Sequence, residues 1–388
     1  MTVRLDLAEP QRLRSGHGAK WTAVPDGVLP AWVADMDFGI APVVADAMRR
    51  TIERGDLGYP YWAGGDPVVD AFTERMQARF GWTPPPERTR VFSDLIQILQ
   101  IVIEYATAPG DGVALHVPNY PPFLAAIHRA GRRPIPLRFT DSDDGWRLDL
   151  QQHHDAFERA DPRLLVVVNP HNPTGRVLHR TELHELARFA LDRGIPVFAD
   201  EIHADLVYAP HTHTPLASLG ADIAALTITA TSATKAFNLA GTRCAVAHFG
   251  HEPTADALAR APLDFFGTPS VLSRIATVAA WRHADDWRAA VLQTLAGNRR
   301  RIGDWAAAHP AVRTHLPEGT YLSWLDFGAT AIGADPAARL LDTAAVQLSP
   351  GAEFTQHTAV DTRAYARLNY ATTPALLDEI LGRIGRAL

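Results

Sequence analysis

The sequence predicts an α/β protein, with a large domain built on a mainly parallel seven-stranded sheet sandwiched by helices and a smaller α+β domain drawn from both termini. Three observations predict it. Between about residues 88 and 250, short apolar runs alternate with helix-patterned segments, the pattern of a parallel sheet covered by helices on its faces. Beyond about 285 the order changes to a long helix followed by isolated strands and helices, which reads as a separate α+β unit. At 388 residues the chain also exceeds a single typical domain, and 47% hydrophobic with 21% charged residues is ordinary for a globular protein.

Residues 1 to 40 are rich in Gly, Pro and Trp, hold no sustained period and read as an extended arm ending in Ala31-Trp-Val-Ala-Asp-Met-Asp-Phe38. A helix follows with Val44, Ala47, Met48 and Ile52 on one face, closed by Gly55. The breakers in Gly58-Tyr-Pro-Tyr-Trp-Ala-Gly-Gly65 mark a loop, and a second helix runs from about Pro67 to Phe80. Seven apolar runs come next: Arg90–Phe92, Gly112–Val117, Arg132–Leu137, Leu164–Val168, Pro196–Ala199, Leu226–Thr231 and Cys244–Phe249. A long amphipathic helix spans Asp285–Ala308, a strand Thr320–Asp326, a helix 335–343, a strand pair Ala345–Ser349 and Ala364–Asn369, and a final helix 374–387. The implied division is an arm with part of the small domain over 1–57, a large domain over 58–284 and a C-terminal small domain over 285–388.

Charge and composition narrow the function. A net charge of −6 without a basic block argues against nucleic-acid and anionic-membrane partners. The N-terminus lacks an apolar signal core and no run of 18 apolar residues occurs, so a cytoplasmic protein is expected. The single cysteine, Cys244, cannot form an internal disulfide and fits a reducing compartment. His211 and His213 alternate in a polar loop and read as solvated, and no metal site is expected.

Among 37 basic residues only Lys20 and Lys235 are lysines. An amine can lose its proton and attack a carbonyl, which a guanidinium cannot, and Lys235 stands just past an apolar run among small and hydroxyl residues. Parallel sheets bind ligands outside the carboxyl ends of their strands, so the polar residues after each run matter most. There the sequence places Asn172 in Asn169-Pro-His-Asn172-Pro-Thr-Gly175, Asp200 in Asp200-Glu-Ile-His203, Ser232 and Lys235, and Tyr120 after Pro118-Asn119. These groups converge if the strands are parallel and adjacent. Taken singly, Asp200 is also an ordinary N-cap, Asn172 a turn former and Tyr120 a rim residue.

Asn172-Pro-Thr-Gly175, Asp200-Glu-Ile-His203 and Ser232-Ala-Thr-Lys235, with Gly241 and Arg243, resemble the motifs of fold-type I pyridoxal-phosphate enzymes of the aminotransferase class I/II superfamily. Trp32–Phe38, Asp200-Glu-Ile-His-Ala-Asp205 and Lys235-Ala-Phe-Asn-Leu-Ala-Gly241 are similar to the MalY/PatB-like cystathionine β-lyase (C-S lyase) branch, from about residue 15 to the end. The resemblance implies pyridoxal 5'-phosphate as cofactor and an amino-acid substrate. Lys235 would hold the cofactor and then serve as base, Asp200 would pair with the pyridine nitrogen, Asn172 would bond the ring oxygen and Tyr120 would stack on the ring. Ser232, Arg243 and backbone amides near Leu95 and Ile96 would take the phosphate at a helix start, with Tyr59 reaching it from a second subunit of a homodimer. Arg367 would clamp the substrate carboxylate, with Asp37 and Phe38 also at the substrate. Two departures stand out: His203 occupies a position where many superfamily members carry Tyr, and Ser93-Asp94 replaces the usual small residues of the phosphate loop. Asp94 is expected to cap its helix from outside.

Other readings of the same residues are weaker. Ser232-x-x-Lys235 also matches the nucleophile motif of class A β-lactamases, but no lysine downstream can supply its Lys-Thr-Gly companion. His184-Glu185 begins a zinc-protease motif that Arg188 ends. Within cofactor chemistry, β-elimination and transamination begin with the same loss of the Cα proton. The branch resemblance favours the lyase, and aminotransferase and a regulatory protein that binds another protein stay open.

Overall fold

In the computed structural model the described residues are 5–6, 9–148, 150, 157, 159–262 and 265–388. Eight strands form the main sheet: β2 (Thr89–Phe92), β3 (Gly112–Val117), β4 (Arg133–Ser142), β5 (Gly145–Leu148), β6 (Pro162–Val168), β7 (Val197–Asp200), β8 (Thr227–Thr231) and β9 (Ala245–Phe249). Their order is β2-β9-β8-β7-β6-β3-β4-β5, parallel from β8 through β4 and antiparallel at β9, β2 and β5. All seven expected runs are present. The eighth strand, β5, is a hairpin return across the two-residue turn Asp143-Asp144, with Trp146 and Leu148 turned inward; its Gly-Trp-Arg-Leu holds no unbroken apolar run to mark it in sequence.

Helices cover both faces. Leu95–Ala106 buries Leu95, Ile98, Leu99, Ile101, Val102 and Ile103 against one face together with Pro121–Arg129, while Arg180–Arg193 buries Leu183, Leu186, Phe189 and Ala190 on the other. Each such aliphatic side chain contributes about 1.5–3 kcal/mol by leaving water. The β6 exit is fixed by Gly175, whose positive φ of 73° and whose position against Pro317, where a Cβ would lie 2.5 Å from the ring, admit no larger side chain.

A second layer joins the two ends of the chain. Helices Pro42–Glu53, Pro67–Phe80, Val271–His283, Asp285–Ala308 and Pro374–Ala387 share one core with β10 (Leu322–Asp326) and β13 (Tyr365–Asn369). The expected strand 345–349 is divided: β11 (Val346–Gln347) pairs in parallel with β1 (Leu29–Pro30), while β12 (Ser349–Pro350) joins β13. Leu348 between them is buried, so the chain turns from one sheet to the other around an apolar pivot. The arm is likewise more ordered than its breakers suggest, with helices at Pro10–Arg14 and Ala19–Thr22 before β1. Among the described residues no helix is long and apolar enough to cross a membrane.

Candidate active site

The register brings the polar strand ends together. Val168 of β6 lies beside Asp200 of β7, which lies beside Ala230 of β8, and β3 flanks β6 on the other side. Because β9 runs antiparallel to β8, its starting end, preceded by Arg243, arrives at the same rim. β2 reverses once more, pairing Phe92 with Ala245, and so delivers Ser93 and the helix Leu95–Ala106 there too.

One cavity results. It is lined by Lys235, Asp200, Asn172, Tyr120, His203, Ser232, Arg243, Leu95 and Ile96 among the expected residues, and also by Ala34, Phe123 and Thr234. The lysine is half-buried and donates from Nζ to the Ala34 carbonyl at 2.8 Å. Burial lowers its pKa; Asp35 and Asp200 oppose the shift, whereas Arg367 and Arg243 add to it. Burial raises Asp200 to about 7, although its Oδ1 accepts from the Ile202 N–H at 3.0 Å. His203 falls to about 3, because it is buried and faces the positive charges of Lys235 and Arg367. It is therefore neutral at ordinary pH. Burial also raises the Tyr120 hydroxyl.

Arg367, on β13 opposite Trp324, comes from the smaller sheet and reaches the large one. Its guanidinium donates to Asn172 Oδ1 at 3.0 Å, to the Trp32 carbonyl at 2.7 Å and to Ser349 Oγ at 3.1 Å. Burial lowers it to about 10, which leaves it charged at neutral pH.

At the helix start, Asp94 is the N-cap: Oδ1 accepts from Gln97 N at 2.9 Å while Oδ2 pairs with Arg243. It lines the cavity rather than facing outward, since its capping geometry turns the second oxygen toward the arginine. The first N–H groups of a helix, here those of Leu95 and Ile96, have no partner within it. They suit an anion, and Ser232 and Arg243 stand with them around the cavity.

Four expected residues do not line the cavity: Arg367, which only bonds Asn172 of its wall, and Tyr59, Asp37 and Phe38. Tyr59 is 99% exposed on its loop. Asp37 is buried and already satisfied, accepting from Lys20 Nζ at 2.8 Å and Trp21 Nε1 at 2.7 Å. Phe38 is buried in the core, and its carbonyl is held by Asn238 Nδ2 at 2.6 Å. His213, expected in solvent, is buried with Nε2 3.2 Å from Glu201 Oε2, because the loop folds back over β7 and Leu216 N bonds the same carboxylate. Cys244 is free and buried, its thiol raised by burial to about 11. Tyr321 was missed by sequence reasoning: its hydroxyl donates to Ala34 O at 2.7 Å, and a tyrosine opening a strand carries no local mark of that contact.

The residues present fit pyridoxal 5'-phosphate. The cavity offers an amine for an aldehyde, a carboxylate for a ring nitrogen, and a helix start with Arg243 for a phosphate. Two buried polar atoms, His203 Nδ1 and Arg367 Nε, are without a hydrogen-bond partner, as expected beside a polar ligand.

Comparison with known proteins follows the same lines. The profile of aminotransferase class I and II matches residues 33–384. The cystathionine β-lyase of Corynebacterium glutamicum is 34% identical, over 98% of this chain and 99% of that one. Cystathionine β-lyase PatB of Bacillus subtilis (strain 168) is 29% identical over 93% of this chain and 92% of its own. The solved PLP-bound C-S lyase from Staphylococcus hominis superposes with a TM-score of 0.90 at 25% identity, covering 98% of each chain. The chain belongs to the aminotransferase class I and II family, in the branch that holds the cystathionine β-lyases.

Proposed function

We propose that the chain is a pyridoxal 5'-phosphate-dependent carbon–sulfur β-lyase that cleaves cystathionine or another S-substituted L-cysteine by α,β-elimination to a thiol, pyruvate and ammonia. The observation that carries this reading is the meeting of the Lys235 amine and the buried Asp200 carboxyl in one cavity whose Asn172 is held by the Arg367 guanidinium, in a chain related to enzymes named for that reaction.

When bound, the cofactor supplies an electron sink for the pair left behind as the substrate Cα loses its proton. Lys235 would hold the cofactor by its aldehyde, and its Nζ would serve as the base for the substrate Cα proton. The lowered lysine pKa serves both tasks, since each needs the neutral amine. Asp200 would pair with the ring nitrogen, Asn172 would bond the ring oxygen and Tyr120 would cover the ring, with neutral His203 beside Asp200 on the same turn. Ser232, Arg243 and the Leu95 and Ile96 amides would hold its phosphate. Arg367 takes the substrate carboxylate with its guanidinium fork. The Cβ–S bond then breaks with its electrons leaving on sulfur, the thiolate gains a proton, and the released 2-aminoacrylate takes up water to yield pyruvate and ammonia.

The working unit in this reading is a cytoplasmic homodimer. Tyr59 reaches the phosphate of a second copy, supported by the exposure of Leu57, Tyr59, Tyr61 and Phe265. The boundaries 1–57, 58–284 and 285–388 belong to the same proposal, supported by the confinement of the eight-stranded sheet to 89–249 and of the three-stranded sheet to 322–369. Incubation with cystathionine and no added 2-oxo acid tests the reaction: pyruvate and free thiol are expected in equal amounts. Strict dependence on a 2-oxo acid acceptor would make the protein an aminotransferase instead.

A further inference from the structure

The two lysines of the chain both donate to one short segment, Trp32–Phe38. Lys20 Nζ holds Asp37 Oδ2 at 2.8 Å and the Asp35 carbonyl at 3.4 Å, while Lys235 Nζ holds the Ala34 carbonyl at 2.8 Å. Other side chains fasten the same strap along its length. Arg367 and Ser349 donate to Trp32 O, Asn369 donates to Val33 O and Asp35 O, and Asn238 brackets Met36 and bonds Phe38 O. Within it, Ala34 is the residue that lines the cavity, and its carbonyl receives a second donor, the Tyr321 hydroxyl at 2.7 Å.

Resting on the cofactor reading above, we infer that Tyr321 is a positioning residue for Lys235, pinning the Ala34 carbonyl that orients the lysine amine toward the cavity. Lysine has a long, freely rotating stem, so its direction depends on what its amine bonds, and the bond recorded for Nζ is the one to the Ala34 carbonyl. A hydrogen bond is directional. With one N–H committed to a fixed carbonyl, the remaining positions on nitrogen, its lone pair included, point away from the strap and into the cavity.

Tyr321 is built to hold that carbonyl still. Its own carbonyl accepts from Tyr370 N at 3.0 Å, Thr320 before it is set at a φ of 65° with its N–H on Leu206 O, and its ring stands edge-on to His203 at 5.9 Å. The ring is buried, so the hydroxyl has little freedom to turn elsewhere.

The test mixes cofactor-free protein with pyridoxal 5'-phosphate in a stopped-flow spectrometer and follows the visible absorption band, which grows as the lysine nitrogen bonds the aldehyde carbon and water is lost. At saturating cofactor, Tyr321→Phe is expected to slow this growth about five- to tenfold, the size of one lost buried hydrogen bond. In turnover, kcat should fall similarly, with KM changed less than about twofold. Thr227→Val is the control, since Thr227 loses a fully buried hydroxyl, bonded to Ile223 O at 2.7 Å and not to the strap. It should leave the rate of band growth unchanged. A normal wild-type band with an unchanged rate in Tyr321→Phe, or equal slowing in Thr227→Val, overturns the inference alone. A wild-type protein that develops no visible band overturns the cofactor reading and the inference with it.

Discussion

Asp200 is buried, and burial carries its carboxyl from 3.8 to about 7 against the opposing pulls of the Ile202 N–H and Lys235. The folded chain without cofactor therefore keeps a proton there that the unfolded chain releases. That contribution to stability is complete below pH 3.8 and is lost as pH rises through about 7. Asp200→Asn should remove the slope. Compared across pH 5 to 8 by thermal melting without cofactor, wild type is expected to lose stability relative to the variant, and parallel curves would contradict the assignment. Added cofactor should flatten the wild-type curve, because a ring cation beside Asp200 favours the carboxylate. Lys235→Ala should bind cofactor without the visible band of the lysine linkage, and a persistent band would place the attachment elsewhere. At Arg367 the geometry of the fork matters more than the charge, so Arg367→Lys should raise KM about tenfold or more with a smaller change in kcat. Steady-state kinetics on an S-substituted cysteine would read the split, and an unchanged KM would take Arg367 out of the substrate site.

At the scale of elements, the strap between β1 and the helix Pro42–Glu53 depends on an ion pair whose side chains are only 2% and 1% exposed, Lys20 with Asp37. Removing one member leaves the other charge buried and half satisfied. Lys20→Met should cost about 3–5 kcal/mol, read by urea unfolding at neutral pH, and a loss below about 1 kcal/mol would mean that Trp21 alone satisfies the carboxylate. This pairing shows what was illegible locally. Asp37 in Trp32–Phe38 is a polar residue in a short aromatic run, and nothing within that run states that its partner is a lysine on a one-turn helix of the arm. The division of 346–350 between two sheets escaped for the same reason: two-residue strands have no period, and their pairing is settled by what lies across from them. The strands of the main sheet were legible because β3 and β7 are buried throughout, and β6 from Leu164 onward, and their apolar runs show it.

For the whole molecule, the proposed dimer makes a test that no single chain can pass. If Tyr59 serves a second copy, unfolding and refolding a mixture of Tyr59→Ala and Lys235→Ala should restore activity, because each hybrid dimer holds one site with both residues intact. Random pairing of equal amounts predicts about a quarter of wild-type activity. Recovery no greater than that of the separate variants would place Tyr59 in its own chain's site or in none. Taken by itself, the sequence determined the element types and the chemistry available at each strand end, since period, turn residues and side-chain identity are local properties. The tertiary structure decided who meets whom. Arg243 reaches the cavity because β9 is antiparallel, Arg367 bonds the cavity's Asn172 because the smaller sheet packs beside the large one, and Ala34 arrives because Lys20, Asn238, Asn369 and Tyr321 fasten its segment across the amine. Contacts between residues hundreds of positions apart arise from sheet order and the packing of the whole chain, which no local pattern encodes.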